Sequence, residues 1–421
     1  MGRALSIMVV EAGDEAGADV PAQLSALGLS VRRTTKAAFS AELAGRPVDA
    51  VVAFCDLPDG AGGLPHLAVG TRDPAAGAFL PAPAHAVQIA SRVRGLVRLT
   101  VLEDIARLRA ADARAAGVTA GPPQLGPEES TVLFVGAPCP AFMRLQHAMA
   151  GDRVETIAAF STFTAFDYLH ERAFDAVILN TDPDPELAHT VCSAMRRNTR
   201  LYHTPAILLT RGEGYAQADE AFARGASDVL PGNAGEAEMR ERITVLGVER
   251  RRRRRAKAML EACRSASLMD ARSDLFADAF GQRHCDTLLL DRARTGRRLT
   301  LVGLSAEAPA DAGPDQTASA LDQFAAMLRH CVRAEDLAVR AGPDEFYLAL
   351  PNTPADEARV VAERICAIAE CTAYEGADPT RPFRLTLSSN VIEPDAEASA
   401  RQAIEAALSP TRRTGRFAAY A

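Results

Sequence analysis

The sequence predicts a multidomain α/β chain: two doubly wound domains with parallel sheets, followed by an α+β domain. Three observations predict it. The chain has 421 residues, two to four times a typical domain. From residue 5, short apolar runs alternate with helical stretches, the mark of a parallel sheet covered by helices. That pattern occurs twice and then gives way to a different mixture.

The elements follow in order. LSIMVV near the start is an apolar strand, and DAVVAF at Asp49 to Phe54 is a second. Ala86 to Arg109 reads as a long helix carrying apolar residues at Val87, Ile89, Val93, Leu96, Val97 and Leu99. Ala116 to Glu129, AGVTAGPPQLGPEE, is rich in Gly and Pro without apolar periodicity and reads as a linker. The pattern then restarts: TVLFVG at Thr131 to Gly136 repeats the opening strand, and FDAVILN at Phe174 to Asn180 repeats DAVVAF at a similar distance. An internal duplication accounts for both. PAILLT at Pro205 to Thr210 and the GASDVLPG segment after Gly225 supply further strands, and a helix from about Glu236 runs through the arginines toward Leu268. From Asp270 the strands RLTLVGL, LAVRAG, EFYLALP and RLTLSSNV alternate with helices in the manner of a mixed sheet. The expected domains are therefore 1–115, a linker 116–129, 130–248, an arginine-rich linker helix 249–269, and 270–421.

Composition narrows the function classes. Hydrophobic residues make up 48% and charged residues 24%, with no apolar run long enough to span a bilayer. The first residues do not read as a signal peptide, so the expectation is a cytosolic protein with no membrane span. Eight cysteines without C-x-x-C spacing read as reduced thiols rather than a metal or disulfide framework. A formal charge of -7 argues against nucleic acid as a partner. The exception is Arg250 to Arg255, six consecutive arginines. Three readings of this run stand: a solvated helix face joining domains with acidic partners on neighbouring surfaces, a nucleic-acid patch, or a contact with a bound dinucleotide or partner protein.

On their strand order and spacing, the first two domains resemble response-regulator receiver domains, a flavodoxin-like fold. That family phosphorylates an aspartate at the end of the third strand, using further acidic residues for Mg²⁺ and a lysine on the last strand. Its acceptor position falls on Phe54 in the first copy and Asn180 in the second. Asp56 shares the face of Phe54 two residues on and is the one nearby carboxylate. The second copy begins FVGAPCP where the family has acidic residues, and GASDVLPG lacks the lysine. The resemblance thus implies receiver scaffolds that have lost phosphorylation.

VRAEDLAVRAGPDEFYLALPNT, Val332 to Thr353, resembles the signature of the GGDEF family of diguanylate cyclases, and two receivers followed by such a domain is the order of PleD-type regulators. Cyclases join two GTP molecules with Mg²⁺ held by carboxylates. The signature here reads Gly342, Pro343, Asp344, Glu345, Phe346, with proline at the second glycine, which removes a backbone N–H and fixes φ. The family's metal-binding aspartate falls on Ser305, its guanine-reading Asn and Asp on about Pro309 and Ala318, and its opening motif survives as Asp270, Ser273 and Leu275. Its phosphate-steadying basic residues appear as Arg412 and Arg416. The expectation is no enzyme, no catalytic residues, no metal and no cofactor.

The resemblance implies a ligand instead. The family's R-x-x-D product-inhibition motif is present as Arg333 and Asp336, six residues before Gly342, and a third arginine of that site matches Arg364 in VVAERICA. A guanidinium can bond guanine O6 and N7 or clamp phosphate, while a carboxylate accepts from the guanine N1–H and amino group. The alternative is an Arg and Asp at i, i+3 forming a surface pair of a few tenths of a kcal/mol. Members with a defective signature suggest a cyclic di-GMP effector: a homodimeric adaptor in cell-cycle control that recruits proteins to the cell pole for ClpXP proteolysis. A ligand-independent interaction scaffold and a weak cyclase using Asp344 and Glu345 are the alternatives.

Overall fold

The computed structural model describes residues 5–11, 19–45, 48–70, 78–118, 130–150, 154–212, 215–375 and 382–409. These divide into two compact units. One comprises Ala4–Thr100 and Gln124–Arg254; the other comprises Met1–Arg3, Val101–Pro123 and Arg255–Ala421. Among the described residues no helix is long and apolar enough to cross a membrane.

The first unit holds two parallel sheets. In the first, β1 (Leu5–Glu11), α1 (Val20–Ala26), β2 (Leu29–Thr35), α2 (Phe39–Gly45), β3 (Ala50–Ala53), β4 (His66–Val69) and β5 (Phe79–Leu80) lead into α3 (Ala86–Ala115). In the second, β6 (Ser130–Val135), α4 (Pro140–Met149), β7 (Val154–Ala159), α5 (Thr162–Glu171), β8 (Ala176–Asn180), α6 (Pro185–Arg197), β9 (Ala206–Thr210), α7 (Ala218–Ala223) and β10 (Asp228–Pro231) lead into α8 (Glu236–Ala262). The orders are β2-β1-β3-β4-β5 and β7-β6-β8-β9-β10, and every pairing is parallel. Both have the doubly wound order 2-1-3-4-5, as the repeated strand runs imply.

The first copy departs from strict alternation. Residues 54–65 between β3 and β4 contain only a single 3-10 turn, Ala61–Gly63, because Pro58, Gly60, Gly62 and Gly63 leave no run that can hold an α-helix. α3 also runs past Arg109 to Ala115. Its first half packs on the second sheet's side of the same unit: Arg92 forms a bidentate pair with Glu249 (2.9 and 2.5 Å), and Gln88 donates to Asp228 (3.0 Å).

In the second unit, Val101 to Ala113 of α3 and Ala256 to Cys263 share a core with the C-terminal elements. These are β11 (Phe276–Ala277), α9 (Asp278–Thr295), β12 (Leu299–Glu307), α10 (Pro314–Cys331), β13 (Leu337–Arg340), β14 (Glu345–Pro351), α11 (Ala355–Cys371), β15 (Thr386–Ile392) and α12 (Ala400–Leu408). The sheet order is β11-β13-β14-β12-β15. β11 pairs parallel to β13 and the remaining pairs are antiparallel, which is the expected mixed sheet.

α12 lies directly on β12 at Gly303, where an added Cβ would fall 2.1 Å from the Ala407 carbonyl oxygen. Backbone cannot yield there as a flexible side chain would. Gly303→Ala is therefore expected to destabilise by about 2–3 kcal/mol, read from the urea midpoint. A change under about 0.5 kcal/mol would show that α12 can lift off without loss.

Candidate functional site

The signature segment is the β13–β14 hairpin. Its turn is closed by the amides of Ala341 and Gly342 donating to the Glu345 carbonyl at 2.9 and 3.1 Å. Arg340, buried at the end of β13, braces it from within, donating to the carbonyls of Gly342 (3.2 Å) and Pro343 (2.8 Å) and to Asp322 of α10 (2.7 Å). Pro343, Asp344 and Glu345 are exposed, while Phe346 is buried. Antiparallel pairing sets Ser305 opposite Glu345, so the two side chains share a face of the sheet, and the Ala306 amide donates to the Asp344 carbonyl at 2.9 Å. The donors gathered here are thus one hydroxyl and two solvated carboxylates.

Asp270, Ser273 and Leu275 form a tight turn rather than a ligand surface. The Asp270 carboxylate accepts from the Arg272 amide (3.1 Å) and the Ser273 hydroxyl (2.7 Å), and its own amide donates to the Leu275 carbonyl (2.9 Å). Burial alone would raise this carboxyl; the Ser273 hydroxyl, the Arg272 amide and the Arg340 guanidinium outweigh burial and hold it below the ordinary aspartate value. Pro309 is exposed, and Ala318 is half-buried on α10. Arg412 and Arg416 lie outside the described residues.

The R-A-E-D segment joins α10 to β13. Arg333 and Arg364 are both exposed, and Arg364 donates to the Cys331 carbonyl at 2.8 Å, which brings it within two residues of Arg333. Asp336 differs from the expectation of a solvent-facing acceptor. It is 8% exposed, and its Oδ2 accepts from the Arg333 backbone amide at 2.8 Å, closing the loop on itself. Its Oδ1 is buried without a hydrogen-bond partner among the described residues. Burial first, and Glu335 next, push this carboxyl up to about 7, against the opposing pull of the Arg333 amide, Arg333 and Arg109.

Beneath the loop lies a clamp that sequence reasoning missed. Arg109 of α3 donates to three successive carbonyls, Ala334 (3.1 Å), Glu335 (2.7 Å) and Asp336 (3.2 Å). Its Nε donates to Nε2 of His284 at 3.3 Å, and Nδ1 of that histidine lies 2.7 Å from Asp112. Burial lowers His284 to about 4, so the ring is neutral, with Nδ1–H donating to Asp112 and Nε2 accepting from Arg109. Burial likewise brings Arg109 down to about 10. The guanidinium also lies 5.6 Å from the centre of the Phe276 ring. Nothing local in the sequence signals this group, because its partners stand 175 to 227 residues away.

The two receiver-like sheets carry no carboxylate at the expected acceptor positions. Phe54 follows β3, half-buried against the core of its sheet. Asn180 ends β8, its amide donating to the carbonyls of Ala137 (3.1 Å) and Asp182 (3.0 Å). It sits so close to β6 that a Cβ at Gly136 would lie 2.7 Å from its own. Asp56 is exposed, 3.8 Å from Lys36, and Leu230, before the terminal Pro231, is fully buried. Glu186, His189 and Glu220 approach one another as a metal site would, but Arg224 pairs with both carboxylates at 2.7 Å and already supplies the positive charge there.

The arginine run lies half-exposed to exposed along α8, with an acidic partner inside its own unit. Arg251 and Arg254 lie 3.6 and 3.1 Å from the buried Asp175, and Arg253 donates to the Gly95 carbonyl at 3.3 Å. The helical period turns successive arginines toward different neighbours.

Residues 310–414 match the family model described as diguanylate cyclase, GGDEF domain. No curated protein matches the chain. Among solved structures, the GGDEF domain of DgcB from Caulobacter crescentus, in complex with c-di-GMP, is similar at 16% identity, with 34% of this chain and 85% of that one covered and a TM-score of 0.30. The FimX GGDEF domain from Pseudomonas aeruginosa is similar at 20% identity over 33% of this chain and 88% of its own, with a TM-score of 0.29. A response regulator from Thermotoga maritima is similar at 18% identity over 29% of this chain and 99% of its own, with a TM-score of 0.27. The chain thus carries a GGDEF domain, preceded by two parallel-sheet domains of the 2-1-3-4-5 order.

Proposed function

We propose that the protein is a cyclic di-GMP effector that has lost cyclase activity and works as a signalling adaptor. The observation that carries the loss is the register of Ser305 opposite Glu345. Mg²⁺ is held by carboxylates and phosphates in octahedral geometry, and this pair offers a neutral hydroxyl where the family uses an aspartate. Pro343 on the adjoining turn removes an amide that could otherwise approach a phosphate. The Mg²⁺–GTP complex does not fit such a donor set.

Arg333 and Arg364, both solvated and brought together at the end of α10, are the groups that would grip the dinucleotide. Asp336 holds the loop that presents Arg333 and, when ionised, supplies an acceptor for a guanine edge. In this reading Phe54 and Asn180 mark receivers that serve as docking and dimerisation modules, in domains 1–115 and 130–248. The finer identity is that of the PopA-type members of the PleD-type group: a homodimeric, cytoplasmic adaptor recruited to the cell pole, delivering proteins for ClpXP proteolysis.

Titration calorimetry with cyclic di-GMP, beside a GTP turnover assay, tests the reading. Micromolar binding that weakens at least tenfold in the Arg333→Ala, Asp336→Ala variant, without turnover, is expected. Turnover of GTP would sink the loss of catalysis, and absence of binding would sink the effector. A second reading, a ligand-independent scaffold, is favoured by one observation: the Asp336 carboxylate faces inward and bonds its own loop.

A further inference from the structure

Within the unit of Ala4–Thr100 and Gln124–Arg254, α3, α8 and the 201–205 turn enclose an open cleft of about 530 Å³, a volume within the range of small-molecule sites. Its walls are dominated by guanidinium groups. α3 supplies Arg92, Arg94 and Arg98, and α8 supplies Arg250 and Arg253, one helical turn apart. Arg196 from the end of α6 and Arg224 after α7 complete the set. Among the described lining residues Glu249 is the one carboxylate.

The partners of these arginines sort them. Arg92 is neutralised by Glu249, and Arg224 by Glu186 and Glu220. Arg94 donates to the Leu27 carbonyl at 2.5 Å, and Arg196 to the carbonyls of Gly225, Tyr202 and Thr204 at 2.7 to 2.9 Å. Those acceptors are neutral and leave both charges uncompensated. Arg98 and Arg250 form no ion pair among the described residues, and the Nε of Arg250 is buried with no hydrogen-bond partner among them. Burial, reinforced by Arg254 and Arg253 against the opposing pull of Asp175, brings Arg250 down to about 10. Like charges crowded beside low-dielectric walls repel one another, and a multiply charged anion would relieve that repulsion. Guanidinium forks match phosphate oxygens two at a time. Tyr202 and His203 stand edge to face with centres 4.9 Å apart and planes at 89°, and the exposed Tyr202 ring, which lines the cleft, offers an aromatic surface beside the arginines against which a base can stack.

We propose that this cleft binds a small ligand carrying two or more phosphate groups, either free polyphosphate or a nucleoside polyphosphate. Arg98 and Arg250 make the first contacts, and the Tyr202 ring accepts a base where one is present. The site shares no residue with the R-A-E-D loop and stands independently of any ligand there.

The test is calorimetric titration of the full chain with inorganic tripolyphosphate and, separately, with GTP at low ionic strength. Binding is expected to weaken at least tenfold in the Arg98→Glu, Arg250→Gln variant. It is expected to be unchanged in Arg401→Glu, which makes a comparable charge change at an exposed α12 position paired only with Glu405. Because Arg250 is partly buried, Arg98→Glu alone, at an exposed position, must still weaken binding at least threefold. Equal affinities for the two probes identify free polyphosphate chemistry, and GTP binding at least tenfold tighter identifies a nucleotide. Failure of both probes to bind at millimolar concentration, or binding that survives Arg98→Glu unchanged, overturns the proposal.

Discussion

Replacing Arg109 with alanine is expected to destabilise the unit that contains the GGDEF domain by about 4 kcal/mol. The substitution leaves the carbonyls of Ala334, Glu335 and Asp336, and Nε2 of His284, without the donor that now satisfies them. The Asp336 carbonyl and His284 Nε2 are buried, and such acceptors stripped of a partner cost about 1–3 kcal/mol each; the part-buried Ala334 and Glu335 carbonyls add less, and the packing of the guanidinium on Phe276 is lost as well. Part of this is offset. Holding the charge in the interior already depresses Arg109 from 12.5 to about 10, a penalty of about 3 kcal/mol that the variant no longer carries. Urea denaturation measures the net, and amide exchange at Arg333 to Asp336 localises it, since those amides should exchange faster once the loop is unclamped. A loss below about 1 kcal/mol with unchanged exchange would mean that the loop holds its shape without Arg109. If the loop presents Arg333 to a ligand, Arg109→Ala should also weaken cyclic di-GMP binding without touching an exposed contact.

What could be read in advance follows from how local each signal is. EFYLALP is β14 residue for residue, and the order 2-1-3-4-5 recurs in both halves because strand runs such as TVLFVG and FDAVILN are apolar on both faces and bounded by turns. The long helix was legible only to Arg109, where apolar periodicity stops, yet α3 continues to Ala115. Its last turns bury only the small Ala110 and Ala113 and are otherwise held by polar partners, with Asp112 bonded to His284 and Thr287, and such contacts leave little periodic trace. The site divides in the same way. Arg333, Asp336 and Arg364 stand in a recognisable spacing, but the inward turn of Asp336 depends on the loop conformation that Arg109 enforces from more than 220 residues away. The acidic partners expected beside the arginine run could not be named in advance, because composition cannot show which neighbours a helix will meet; Asp175, a buried residue at the start of the FDAVILN repeat, is the one that Arg251 and Arg254 face.

Asp336→Asn should change how stability depends on pH more than it changes stability at any one pH. In the folded chain the Asp336 carboxyl is raised from 3.8 to about 7. Between those values the folded state keeps a proton that the unfolded chain has released, so this group's contribution is full below about 4 and is lost as pH rises through 7. The span of about three pKa units corresponds to about 4 kcal/mol. His284 acts with the opposite sign. Its folded value is lowered from 6.5 to about 4, so its contribution is present above 6.5 and is lost as pH falls toward 4. From about 4 to 6.5 the two slopes cancel in the native protein, and above that interval only the Asp336 loss remains. In Asp336→Asn the His284 slope stands alone: stability should climb from pH 4 to 6.5 and then level. The variant's advantage over the native protein should therefore grow from about pH 4 to about pH 7 and stay level above it. Urea midpoints for the native chain, Asp336→Asn and His284→Gln at acidic, neutral and alkaline pH measure these slopes, and a variant difference independent of pH would refute the burial of Asp336 as the cause. Ligand binding gives a second readout in the same window. A carboxylate that must accept from a guanine edge works only when ionised, so cyclic di-GMP affinity through Asp336 should rise as pH passes 7, and in Asp336→Asn that rise should vanish.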